Sequence, residues 1–161
     1  MERLVNSDRN LVRDAWNRLS PLPGGKLAFS KLVGMMAPYT GSMHARVVDL
    51  RRDHAKVELP DRRRVRNHLT SVHAIALANL AEMTGNLALA YSLPDDARFI
   101  VAGIELDYIK KARGTITAEC TLEMPSDSER REVLVPVEMR DRKGELVTRA
   151  TLRTLVGPKK K

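Results

Sequence analysis

The chain has 161 residues, 43% of them hydrophobic, which is the size and composition of one domain able to bury its own core. Its formal charge is +8 with only 4% aromatic residues, so it suits an anionic partner but offers few rings for stacking bases. The single cysteine, Cys120, excludes an intrachain disulfide and a Cys-rich zinc site, and fits a reducing, cytoplasmic setting.

The first eight residues lack the apolar run of a secretory signal. Leu11, Val12, Trp16 and Leu19 recur at helical spacing and predict a helix over 9–19, with Ser7 or Asp8 as its cap. The stretch from Ser20 to Gly25 breaks the chain, and a second helix is expected over 26–37, ended by Pro38-Tyr39-Thr40-Gly41. Residues 1–41 thus read as a helical extension. From Met43 the period changes to two. Ala45 and Val47, then Ala55, Val57 and Leu59, alternate with Arg46, Lys56 and Glu58, which predicts a hairpin turning at 51–54. A basic loop follows, with Arg62, Arg63, Arg64 and Arg66.

Ser71, or Thr70, is expected to cap a helix that runs to Tyr91 and stops before Pro94. This helix is apolar almost all round, and such a helix must be covered on most sides. Asn79, Glu82, Thr84 and Asn86 interrupt it, so a membrane span is not expected. A carboxylate within a buried helix is costly without a partner or a task, which marks Glu82. Asn79, Glu82 and Asn86 stand at i, i+3 and i+7 and share one face. Either a polar pocket or a polar dimer seam would produce that pattern, and an arginine across a dimer could equally answer Glu82. Four strand-like runs close the chain, near 99–109, 115–124, 133–139 and 146–156, and are expected to form a meander. A basic tail occupies 158–161. The sum is an α+β domain: a curved antiparallel sheet of about six strands wrapped around a long central helix, with two extra N-terminal helices. The helix face left uncovered argues for a dimer.

The order Asn67, then His73-Ala74-Ile75 six residues on, then Glu82 nine residues further, resembles the loop and helix of the hotdog-fold acyl-CoA thioesterases, in the group related to phenylacetate-pathway thioesterases. The resemblance spans residues 42–157 within a single hotdog domain, 1–161. It implies a homodimer, with a dimer of dimers as a further state, and a site in which Asn67 and Glu82 come from different subunits. It also implies roles. Glu82 activates water, or attacks directly; Asn67 holds the water; His73 orients Asn67 or the thioester; and the backbone N–H of Ala74 receives the oxyanion. Asn79 and Asn86 extend the polar line toward the substrate. Arg64, Lys110, Lys111 and Arg113, with Arg62 and Arg63 beside them, are candidates for the phosphates of coenzyme A. Coenzyme A enters as part of the substrate; no cofactor and no metal are implied. His73 also reads as a residue that merely starts the helix.

Two positions depart from the family pattern. Ala74-Ile75 stands where the family has Gly-Gly, and Val101 and Ala102 fall where some members carry a water-holding Ser or Thr. These favour a second reading, a non-catalytic acyl-CoA-binding or regulatory protein. A nucleic-acid-binding module is disfavoured by the few aromatics and by the lack of helix-turn-helix or zinc spacing.

Overall fold

The computed structural model describes residues 9–159. Helix α1 (Leu11–Leu19) is capped by Asn10, whose Oδ1 accepts from Arg13 N–H at 3.0 Å. The two expected caps, Ser7 and Asp8, lie outside the described residues. Helix α2 (Gly25–Met36) follows as expected, and the residues read as its terminator form a short helix of their own, α3 (Pro38–Gly41). A Cβ on Gly41 would sit 2.4 Å from the carbonyl oxygen of Gly34, so glycine at 41 lets α3 lie against the α2 backbone.

Strands β1 (Arg46–Arg51) and β2 (His54–Leu59) form the expected hairpin, with Asp53 in the left-handed region at its turn. A single 3-10 turn over Arg63–Val65 leads toward α4 (Ala74–Ser92), the central helix. Then come β3 (Ala97–Tyr108), β4 (Ile116–Thr121), β5 (Arg131–Arg140) and β6 (Leu146–Pro158). Pro158, expected in the tail, closes β6, and Lys159 N–H donates to Asp96 O at 2.7 Å.

The six strands form one antiparallel sheet in the order β1-β2-β4-β5-β6-β3. The last four strands are therefore not a simple meander. After the helix, β3 crosses to the far edge and pairs with β6, while β4 returns to pair with β2. Alternation in sequence reports which face a residue occupies and not which strand lies beside it. The residues 109–115 carry the chain back, past the start of α4.

Helix α4 lies on the concave face of this sheet. Leu80, Ala81, Thr84, Ala88 and Leu89 are fully buried, and each such leucine contributes roughly 1.5–3 kcal/mol of transfer free energy. Gly85 permits the close approach: a Cβ there would meet Leu152 Cδ1 at 2.1 Å. The other side of the C-terminal half is covered by α1, and α2 packs in turn on α1 and β1. Asn10 Nδ2 donates to Ala90 O at 2.6 Å, and Trp16 meets Phe29 edge to face at 5.1 Å. Ser30 Oγ accepts from Val47 N–H at 2.9 Å and ties α2 to β1. The result is the hotdog arrangement, a helix held in a curled sheet, with the N-terminal half of α4 left less covered than the rest.

Candidate active site

The loop ahead of α4 is built around Asn67. Its Oδ1 accepts three donors: Leu69 N–H at 2.9 Å, Ser71 N–H at 3.2 Å and Ser71 Oγ–H at 3.1 Å. Asn67 N–H donates in turn to Ser71 O at 2.8 Å, and Thr70 takes a positive φ to close the turn. The carbonyl end of Asn67 is thereby spent on the loop, and its amide nitrogen is what remains to meet a water.

The expected cap, Ser71, is buried inside this turn, and a bridge between Arg66 and Val72 keeps the chain extended past it. The N-cap is His73, whose Nδ1 accepts from Ile75 N–H at 3.1 Å. That bond requires Nδ1 unprotonated, so neutral His73 carries its proton on Nε2 and presents a donor outward. His73 is exposed and does not reach Asn67 by any hydrogen bond. Among the described residues the N–H of Ala74 has no acceptor, so the first turn of α4 presents a free donor at the positive end of the helix dipole. Tyr108, at the end of β3, donates its hydroxyl to Ala74 O at 3.1 Å and pins that turn. In the sequence Tyr108 is only part of the strand-like run near 99–109; the end of β3 places it there.

Further along α4, Glu82 is half-buried and has no hydrogen-bond or ion-pair partner among the described residues. On the same face, the Oδ1 atoms of Asn79 and Asn86 are buried without a donor, and Asn79 is only 6% exposed. An orphan acceptor in a buried place costs about 1–3 kcal/mol, so this line holds unmet hydrogen-bonding capacity. These three polar groups, about one turn apart along one helix face, therefore meet no hydrogen-bonding or ionic counterpart among the described residues.

Two basic loops flank the start of the helix. Val72 N–H donates to Ala112 O at 2.8 Å, which brings 110–114 against 61–72. Asp61 staples them: its carboxylate accepts from Arg66 Nε at 2.6 Å and from Gly114 N–H at 3.1 Å. The Arg66 hydrogen bond, helped by Gly114, holds the Asp61 carboxyl below its ordinary range. Around this staple Arg64, Lys111 and Arg113 are exposed and have no carboxylate partner among the described residues. Lys110 differs, because its ammonium is engaged by Glu145 and lies 3.4 Å from Asp141. Nothing in the sequence singles out Asp61, because both of its partners come to it through the fold. Val101 and Ala102 sit at a bulge in β3 and offer no hydroxyl. Among the described residues no helix is long and apolar enough to cross a membrane, and no three His, Cys, Asp or Glu side chains converge as metal ligands.

The fold recurs in solved structures. A protein known from a structural-genomics crystal structure is 30% identical, with 92% of this chain and 99% of that one covered and a TM-score of 0.81. A protein from Pseudomonas aeruginosa described as a probable thioesterase is 21% identical over 86% of this chain and 97% of its own, with a TM-score of 0.73. A thioesterase from Haemophilus influenzae is 17% identical over 82% and 90%, with a TM-score of 0.70. No curated protein matches the sequence. The model of one family matches residues 25–156, most of the chain, and includes both the loop at Asn67 and the central helix. The chain belongs to that family, the hotdog-type domain of unknown function DUF4442.

Proposed function

We propose that the protein is a thioesterase-like hydrolase acting on an acyl-CoA. The observation that carries this reading is the half-buried carboxylate of Glu82, without a counter-ion among the described residues and flanked by the orphan amide oxygens of Asn79 and Asn86. In this reading the thioester carbonyl docks on the Ala74 N–H. Glu82 takes a proton from water as the water attacks the carbonyl carbon, and the tetrahedral oxyanion is held at the helix N-terminus. The C–S bond then breaks and the coenzyme A thiolate leaves, collecting the proton from Glu82. An oxyanion donor of this kind is worth ~2.7–4 kcal/mol. The Asn67 amide nitrogen, or the His73 Nε2–H, orients the water or thioester. Arg64, Lys111 and Arg113 receive phosphates of coenzyme A, with Lys110 the least available of the four.

The site is completed by a second copy. Among the described residues edge strand β3 has no neighbour on its outer side, and Ile100 and Ile104 along it are exposed, which supports pairing of two subunits there. Asn67 of one subunit would then face Glu82 of the other, and a dimer of dimers is a further state.

Hydrolysis of a panel of acyl-CoAs, followed by a thiol-reactive dye, tests the proposal. Turnover lost in Glu82→Gln with the fold intact is the expected result; unchanged turnover would sink the assignment of Glu82. The alternative, a non-catalytic acyl-CoA-binding protein, is favoured by Ile75, 55% exposed over the first turn where the phenylacetate-pathway-type thioesterases that the chain resembles carry glycine. Tight binding of the same panel without release of free thiol would select it.

A further inference from the structure

A cavity of about 610 Å³ lies apart from the first turn of α4, between α2, α3, the start of β1 and the middle of α4. That volume is within the ~300–1,000 Å³ typical of small-molecule sites. Its inner wall is aliphatic. Met83, 6% exposed, and Ala45, 8% exposed, form the floor, and Leu27 and Met35, 49% and 77% exposed, form a lip. The contact of Gly34 with Gly41 draws α2 and α3 together on the same side. Apolar side chains so exposed beside a concavity leave apolar area for a ligand to cover.

The Lys and Arg side chains of the lining, which stand beside the polar Ser30, Thr40 and His44, meet no opposite charge in it among the described residues. Lys31, Arg46 and Arg62 stand around the cavity, no acid lines it, and none of the three has a carboxylate partner among the described residues. The same bias extends along the chain: between Asp14 and Asp49 there is no acidic residue, while Arg18, Lys26, Lys31 and Arg46 fall in that stretch. A purely apolar ligand would gain nothing from these cations, and a small inorganic anion would leave the aliphatic wall bare.

We infer that this cavity binds a single-chain anionic amphiphile, an aliphatic chain lying along Leu27, Ala45 and Met83 with a carboxylate or phosphate head held by Lys31, Arg46 and Arg62. The cationic rim calls for a charge at the end of the aliphatic chain, which a free acid or a phosphate ester supplies directly, whereas the phosphates of an acyl-CoA are separated from its acyl chain by the pantetheine arm. The inference does not depend on the thioesterase reading. A second copy of the chain is a poor occupant, because a face without acids would meet one of its own sign across a symmetric contact. A flat bilayer would use the exposed lip but not the buried floor.

The buried Trp16, in edge contact with Phe29 on α2, is a built-in reporter, and it is the chain's sole tryptophan. Its fluorescence is followed, alongside calorimetry, in titrations with dodecanoate, dodecyl phosphate, dodecanol and dodecyltrimethylammonium below their micelle concentrations. One-site binding is expected for both anions, at least about tenfold tighter than for the alcohol or the cation, the worth of one charge-assisted hydrogen bond. Which anion binds tighter tells a fatty acid from a lipid phosphate. Lys31→Ala with Arg46→Ala, both at exposed positions, should abolish the preference for anions with the circular dichroism unchanged, and Leu27→Glu should weaken both anions further. Equal binding of dodecanol, or an unchanged preference in the double variant, overturns the inference. So does co-sedimentation with phosphatidylglycerol vesicles while no soluble amphiphile saturates, which would make the surface a bilayer contact.

Discussion

The hydroxyl of Tyr108 donates to the carbonyl oxygen of Ala74 at 3.1 Å, and so the end of the edge strand fixes the first turn of the central helix. Burial raises the phenol above its ordinary range, so Tyr108 remains a donor throughout neutral pH. The free N–H of Ala74 belongs to the same residue. Tyr108→Phe removes a half-exposed bond whose net worth is about 0.5–1.5 kcal/mol, so the fold should survive. If the turn holds an oxyanion, kcat should fall about tenfold, ~1.4 kcal/mol of barrier, with KM little changed. A lower melting temperature with unaltered kcat would make the contact structural only.

Asn67 allows its two ends to be tested apart. Asn67→Ala leaves the two N–H groups and the hydroxyl that its Oδ1 now receives without an acceptor, and should cost about 1–3 kcal/mol in denaturant unfolding. Asn67→Asp keeps the acceptor and removes only the amide donor. Near-wild-type stability with at least about tenfold lower hydrolysis is expected of the aspartate variant, the effect of losing one positioned donor. Equal activity of Asn67→Asp and wild type would show that the loop, and not the water, is the business of this residue.

The contrast between these residues and the rest explains what the sequence could and could not convey. The helix around Glu82, the β1–β2 hairpin and the alternation through Ile116, Ala118 and Cys120 are local periodicities, and they appear in the structure where they were expected. The place of β3 was not legible, because its pairing with β6 joins residues such as Val101 and Thr154 far apart in the chain, and a bulge at Ala102 shifts its alternation. The cap was misread for a related reason. Ser71 has the right chemistry for an N-cap, but its hydroxyl is drawn back to Asn67, and the chain stays extended until His73. Lys110 looked like its neighbours Lys111 and Arg113 until the β5–β6 turn supplied Glu145 and Asp141. The polar line Asn79, Glu82, Asn86 was legible from spacing alone, while its lack of a partner among the described residues was not.

Gly85 gives a stability prediction independent of catalysis. Alanine is the better helix former by roughly 0.8–1.0 kcal/mol. Here its Cβ would overlap the Leu152 side chain, so Gly85→Ala should instead destabilise by about 1–3 kcal/mol through overpacking. Leu152→Ala alone opens a void and should cost about 2–5 kcal/mol. In the double variant the new methyl enters the space left by Leu152, and the combined loss should be smaller than the sum of the single losses. Strict additivity in urea unfolding would mean that the helix and β6 do not touch as described.

Asp61 gives the prediction for pH. Its carboxyl is held below its ordinary range first by the Arg66 hydrogen bond and then by the Gly114 N–H. The folded state therefore binds fewer protons than the unfolded state near the ordinary carboxylate pKa. The stabilisation is fully present above that value, about 4, and is lost as the pH falls through the lower folded value. Arg66 is substantially exposed, so screening limits the pair, and the Gly114 hydrogen bond has the usual net worth of about 0.5–1.5 kcal/mol. Asp61→Asn should be less stable than wild type by that amount at pH 7, and the two unfolding curves should converge as the pH is taken below about 4. A gap that persists unchanged at pH 3 would show that the staple between the basic loops acts through shape and not through charge.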